Sequence, residues 1–334
     1  GEQPAKELID PAAMARMSVA EALTNIVWAE VSGLGDIRCS GNWMWAPKLT
    51  GEGSRLYEAA IAMRDLMIKL GIAIDGGKDS LSMAARVTNA DGTTETVKSP
   101  GTLVISAYVT CPDITKTVTP DLKMPGRGRL LFIDLSGGKN RLGGSALAQV
   151  FGQVGNESPD IEDAGLLKQG FNAVQKLVGK RLILSGHDRS DGGLITTLLE
   201  MAFSGNCGID VNLPTESMHS GDPLAVLFSE EAGLVVEYLP ENEAEIFEIL
   251  NKAEVPFFMI GTAMQDKRVR VSLGWKSVLD EDLRVLRDIW EETSHQLDLL
   301  QRDPENIREE RKNSYDRKGP HYVVPFVPQP TSRS

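Results

Sequence analysis

The chain is poor in side chains that staple or ligate, with 3 cysteines and 4 histidines among 334 residues. Cys39, Cys111 and Cys207 show no Cys-x-x-Cys spacing, which argues against a zinc knuckle or a disulfide framework and fits a reducing, cytoplasmic setting. His187, His219, His295 and His321 give neither zinc nor triad spacing, and no Gly-x-Ser-x-Gly elbow is present. Long apolar runs are lacking too: Leu103 to Val109 is far short of a membrane span, and Gly1-Glu2-Gln3 opens no signal-peptide core. Positive charge is in deficit, 35 Lys and Arg against 47 Asp and Glu, for a net charge of −12. That field repels phosphate backbones and anionic lipid, which disfavours nucleic acid and membrane partners. A phosphorylated small molecule then needs a local site of backbone amides, a divalent cation, or a few placed cations such as Lys78, Arg141 and Arg189.

Glycine is plentiful, and its clustering is informative. Asp75-Gly76-Gly77-Lys78-Asp79-Ser80 and Ser185-Gly186-His187-Asp188-Arg189-Ser190-Asp191-Gly192-Gly193 read as acidic glycine turns. Paired glycines let main-chain N–H groups approach an anion, and neighbouring carboxylates supply ligands for the cation that accompanies a polyphosphate. Nucleotide handling is therefore the leading reading. A third glycine loop, Gly137 to Ser145, opens a helix and offers another anion position.

At 334 residues two domains are expected, and 41% apolar content fills both cores. Asp10-Pro11 marks the start of a long helix running to about Val31. Val19, Leu23, Ile26 and Val27 recur at helical steps, which sets Glu21 and Asn25 one turn apart on a neighbouring stripe. Residues 33–53 read as a long structured loop, 54–70 as a helix stopped by Gly71, and 72–74 as a short strand before the first turn. Strands follow at 81–87, 93–98 and 103–110, and the Pro and Gly breaks at 119–127 mark a boundary. Beyond it come strands at 129–135, 181–184, 226–228, 233–238, 257–260 and 268–273, and helices at 145–151, 194–203, 241–252 and 280–300. The fold class is α+β, with residues 1–122 and 123–279 as the two domains, 280–302 as a closing helix and 303–334 as a linker tail. A start at glycine and a Pro-rich polar end suggest a piece of something longer.

The sites are open to plainer readings as well. Glu21 and Asn25 are hard oxygen donors of the kind Mg²⁺ accepts, yet polar pairs four apart are ordinary on helix surfaces. The Gly76, Gly77, Lys78, Ser80 segment suits phosphate contact, or else a tight strand connection; it lacks Walker spacing. Asp188 is the best single metal-ligand candidate, with Ser190 and Asp191 open to helix capping and His187 to hydrogen bonding within the turn. Glu230 and Glu231 suit acid–base work or, more cheaply, solubility of a sheet edge. Trp43 and Trp45 are read as core.

Several blocks occur in one order: Val19 to Asn25, Ser40 to Met44, Gly76 to Met83, Leu142 to Gln149, His187 to Leu194, Glu200 to Phe203 and Trp290 to Thr293. Together they resemble the second synthetase half of the phosphoribosylformylglycinamidine synthase family, large single-chain type. The resemblance implies an aminoimidazole-ribonucleotide-synthetase-like (PurM-like) two-domain fold whose first sheet pairs with a pseudo-symmetric copy. It implies an ATP-dependent carbon–nitrogen ligase of purine biosynthesis, in which formylglycinamide ribonucleotide takes ammonia from glutamine. It further implies ATP or ADP with Mg²⁺ as cofactors, Glu21, Asn25 and Asp188 as magnesium ligands, and Ser190, Gly76, Gly77, Lys78 and Ser80 at the nucleotide. Smaller relatives carry asparagine where Lys78 stands, so metal binding at that loop is not implied. The first synthetase half and the glutaminase domain would be its partners in the full-length protein. The catalytic histidine and the cysteine nucleophile would lie on those parts, so this stretch carries no catalytic residue of its own and would not turn over alone. A half that only holds nucleotide as a scaffold is the alternative.

Overall fold

The computed structural model describes residues 1–214, 218, 222–314 and 325–326; His219, His321 and the remainder of the expected tail lie outside the described residues. Residues 1–283 form one compact unit. It opens with α1 (Pro4–Glu7) and α2 (Pro11–Ile26). Asp10 caps α2, its carboxylate accepting the Ala12 and Ala13 N–H groups at 2.8 and 3.0 Å, and Pro11 presets the first turn. The helix stops short of the Val31 expected. Gln175 competes for the backbone there, donating to the carbonyls of Val27 and Ala29 and accepting the N–H of Val31.

Next come β1 (Arg38–Met44), α3 (Glu52–Leu70), β2 (Ala73–Ser80), β3 (Ala84–Thr88), β4 (Thr94–Lys98) and β5 (Thr102–Tyr108). The first sheet has the order β2-β1-β5, with β1 parallel to β2 and antiparallel to β5. β3 and β4 form a separate exposed hairpin. Two expectations are corrected here. The stretch read as a loop, 33–53, contains β1, whose Ser, Gly and Asn are weak strand formers held by ladders on both sides. The first glycine segment is no turn: Asp75 to Ser80 continue β2 as an extended edge strand, with Gly77 opposite Gly41. Glycine is required at 77 because a Cβ would fall on the Gly41 carbonyl, whereas nothing lies within 4 Å of a Cβ at Gly76. Gly77→Ala should therefore cost about 2 kcal/mol in urea unfolding and Gly76→Ala almost nothing; equal losses would refute this account.

The second part contains β6 (Arg129–Asp134), α4 (Ala146–Val150), α5 (Ala164–Gly179), β7 (Ile183–Asp188), α6 (Gly193–Gly205), β8 (Gly208–Leu213), α7 (Pro223–Phe228), β9 (Gly233–Tyr238), α8 (Glu243–Lys252), β10 (Phe257–Met264), β11 (Arg268–Leu273) and β12 (Lys276–Asp282). Its seven strands run β12-β11-β8-β10-β6-β9-β7, antiparallel except for β8 beside β11. The stretch 226–228 is helical, not a strand, because Asp222 caps it and Pro223 starts it. β7 runs on through Asp188, so the second glycine turn is shorter than expected.

α2 is the hub. It packs against α3, β5, α5 and β7, and one buried apolar cluster runs from Met14 and Leu23 through Leu103 and Ile105 to Leu131, Phe171 and Leu234. Trp45 is fully buried as expected, its indole N–H donating to Glu52 at 3.0 Å. The described residues from 284 on form a second unit, which contains α9 (Leu283–Gln301) apart from its first residue and α10 (Pro304–Asn313), capped by Asp303.

Candidate nucleotide and metal site

Glu21 lies on α2, and Asp188 ends β7, which packs against that helix. The turn after Asp188 carries Ser190 and Asp191 and closes on α6, with Gly192 and Gly193 both in the left-handed region. Like charges crowd here. Burial pushes the Glu21 carboxyl upward, and Asp191 adds to the push, against hydrogen bonds from Gln3 and the Glu2 N–H. Asp191 is raised by desolvation first and then by Glu230, Glu2 and Asp188, with Lys6 opposing. Each carboxylate thus feels the next, from Glu21 through Asp191 to Asp188. Hard oxygens whose mutual repulsion a dication would relieve are a donor set suited to Mg²⁺.

Asn25 is exposed, and its amide donates back to the Glu21 carbonyl at 2.9 Å, which leaves its side-chain oxygen for a ligand. Glu21 Oε2 is occupied, accepting the Glu2 N–H at 2.7 Å and Gln3 Nε2 at 2.9 Å. Among the described residues, no group of three or more His, Cys, Asp and Glu side chains is arranged to hold a metal by itself. Any cation there would draw on the Asn25 amide or on the nucleotide.

His187 is held between two carboxylates, with Nδ1 3.2 Å from Asp188 and Nε2 2.8 Å from Glu200. Burial favours the neutral ring, but the two hydrogen-bonded carboxylates outweigh it and pull the pKa up to about 9. The imidazole is a charged clamp, in keeping with hydrogen bonding and not with a free base. Arg189 points inward instead, fully buried over the Phe132 ring at 5.0 Å and donating to the carbonyls of Glu231 and Ala232 at 2.6 and 3.1 Å. It is a structural cation, unavailable to phosphate.

Gly76, Gly77, Lys78 and Ser80 lie apart from this cluster, on exposed β2, where Lys78 donates to Ser80 at 3.0 Å. Among the described residues, no hydrogen bond or ion pair ties them to the turn. The third glycine loop borders a cleft of 1310 Å³, but its cations are committed: Lys139 pairs with Glu162, and Arg141 with Glu162 and Glu231. Asp10, Glu157 and Asp160 also line it, so it does not suit an anion.

Glu230 and Glu231 correct the sequence reading outright. β9 is an inner strand, and the two carboxylates are 2% and 0% exposed. Glu231 receives Arg141 Nε at 2.6 Å and Nη2 at 3.1 Å. Glu230 accepts the N–H groups of Ala146 and Gly192, each at 2.8 Å. Sequence reasoning also missed Gln3, Lys6 and Glu200; a lysine one turn into the opening segment carries no sign that it is buried.

The class follows from domain matches. The FGAR-AT PurM_N-like domain matches residues 1–110, and the C-terminal domain of AIR synthase related proteins matches 132–274. The solved Thermotoga maritima PurL complexed with FGAR has the same fold, with a TM-score of 0.61 at 16% identity over 85% of this chain and 44% of that one. The chain is 52% identical to the probable phosphoribosylformylglycinamidine synthase, chloroplastic/mitochondrial, of Arabidopsis thaliana, over 100% of this chain and 23% of that protein. It is also 52% identical to the Homo sapiens phosphoribosylformylglycinamidine synthase, over 97% of this chain and 24% of that protein. The chain belongs to the phosphoribosylformylglycinamidine synthase family and spans about a quarter of the length of these relatives. No helix among its described residues is long and apolar enough to cross a membrane.

Proposed function

We propose that this chain supplies the second synthetase half of an ATP-dependent ligase that converts formylglycinamide ribonucleotide to its amidine with ammonia from glutamine. Residues 1–122 and 123–279 act as its two synthetase domains. The nucleotide lies beside α2 and the turn after β7, with Ser190 against it. Glu21, Asn25 and Asp188 hold its Mg²⁺, which would neutralise polyphosphate charge. The observation that carries this reading is the packing of α2 against β7, which sets Glu21 on the helix beside the strand that ends in Asp188, with negative charge from Asp191 close to Glu21. Gly76, Gly77, Lys78 and Ser80 belong to a different stretch of the surface, the exposed sheet that would face the pseudo-symmetric half. There Lys78 meets substrate or nucleotide shared between the halves. The solved PurL complexed with ATP supports nucleotide binding in this fold.

Calorimetry tests it. The chain should bind ADP in the presence of Mg²⁺ and much more weakly in chelator, and Asp188→Asn should remove most of the metal-dependent gain, on the order of tenfold or more. A folded sample without metal-dependent binding would sink the proposal. The second reading, a nucleotide-holding scaffold, is favoured by the double pairing of His187, which leaves the turn no free imidazole. In a full-length enzyme, Asp188→Asn separates the two: lost stability with residual turnover per folded molecule favours the scaffold, and lost turnover in a stable protein favours catalysis.

A further inference from the structure

We infer that Gln3, Lys6 and Glu230 are positioning residues that set where the Glu21 carboxylate sits relative to the Ser190 turn. This rests on the magnesium–nucleotide reading above. All three are buried, at 5%, 1% and 2% exposure. Lys6 Nζ donates to Glu230 Oε2 at 2.8 Å and also to Gln3 Oε1. Gln3 Nε2 in turn donates to Glu21 Oε2 at 2.9 Å. At the far end, Glu230 Oε1 takes the N–H of Gly192, inside the turn, and that of Ala146. An unbroken path of hydrogen bonds therefore joins a carboxylate of α2 to the backbone of the turn, through the side chains of Gln3, Lys6 and Glu230.

A buried ion pair is a poor source of net stability, because desolvation consumes most of the attraction. What it does provide is a fixed distance. The path holds one Glu21 oxygen with internal donors and leaves Oε1 as the oxygen with no hydrogen bond to another described residue. It also anchors the turn at Gly192, two residues from Ser190. The first lysine of the chain is thus a strut between two sides of one site, and a ligand carboxylate braced in this way is held ready for its cation.

The test uses Mn²⁺ in place of Mg²⁺, titrated into the chain at saturating ADP and followed by the loss of its free-ion paramagnetic resonance signal, with thermal melts alongside. Gln3→Met cuts the path but keeps the Lys6–Glu230 pair, and should raise the Mn²⁺ Kd about tenfold with little change in Tm. Lys6→Met alone should lower Tm by stranding Glu230. The double variant Lys6→Met/Glu230→Gln should recover Tm, since the glutamine oxygen still accepts the two N–H groups, yet keep the weakened Mn²⁺ Kd. A merely structural role would restore both together. If Glu21→Ala weakens Mn²⁺ while Gln3→Met and the folded double variant bind it as the unsubstituted chain does, the brace is refuted and the site stands. If the unsubstituted chain binds no Mn²⁺ with ADP, or Glu21→Ala changes nothing, the site falls and the brace with it.

Discussion

Glu231→Ala is expected to lower the unfolding free energy by about 3–5 kcal/mol. The carboxylate is completely buried, receives the Arg141 guanidinium through two nitrogens, and also accepts the N–H groups of Arg141 and Asp160, both at 3.3 Å. Removing it strands a mostly buried guanidinium whose other charged partner, Glu162, is half exposed. It also frees the backbone N–H groups of Arg141, inside the third glycine loop, and of Asp160, beyond α4. Lys139→Ala is the contrast. Its pair with Glu162 is open to solvent on both sides, and its loss should stay within about 0.5 kcal/mol. Urea titrations of both variants decide the matter; comparable losses would mean that burial is not what gives the Glu231 pair its weight.

The second large effect depends on pH. His187 titrates near 9 in the folded chain against an ordinary 6.5, because Asp188 and Glu200 outweigh burial. A folded pKa above the unfolded one favours folding while the ring is charged in both states, that is, below about pH 6.5. The advantage is lost as pH climbs through about 9. At about 1.4 kcal/mol for each pH unit, the full difference is about 3 kcal/mol. The gap in stability between the unsubstituted chain and His187→Gln should therefore be wide at pH 6 and nearly closed at pH 10. A gap that does not change with pH would show that the ring is neutral throughout. Mg²⁺ with ADP adds a further check on Asp188, since a cation on that carboxylate competes with the imidazolium and should bring the His187 pKa down.

Much of this fold was legible. Where local signals agree, as with Asp10-Pro11 at the head of α2 or Gly71 at the end of α3, the elements begin and end close to where the chain announces them. α5 and β8 were just as readable, one from Leu166, Phe171, Val174 and Leu177 at helical steps, the other from its alternating Ile209, Val211 and Leu213, and they were overlooked. α10 is a different matter. It has hardly any apolar stripe and is held by its Asp303 cap and by the pairs of Arg302 with Glu310 and of Arg311 with Glu292, so hydrophobic period is silent about it. β1 and the Gly76–Ser80 stretch were misjudged for a tertiary reason: Gly, Ser and Asp favour turns in isolation, and only the neighbouring strand draws them straight.

The site was half legible. Spacing put Glu21 and Asn25 on one helix stripe and Asp188 in a glycine turn after a strand, and the family blocks tied them together. What no spacing reveals is burial. Glu230 and Glu231 look like a solvated acidic pair in the chain and turn out to be enclosed anchors near the turn. Lys6, near the chain start, looks like a surface residue and is almost wholly enclosed.

The seam between the two sheets has a thermodynamic meaning. Leu23 and Val27 of α2 lie against Leu135, Leu167, Phe171 and Leu234, with no water-filled gap between them. Neither sheet keeps its oily side covered without the other, so the first 283 residues should rise or fall in a single cooperative melt. A weakness placed in the glycine-rich edge strand is then shared by the distant turn that bears Ser190, although no bond connects them.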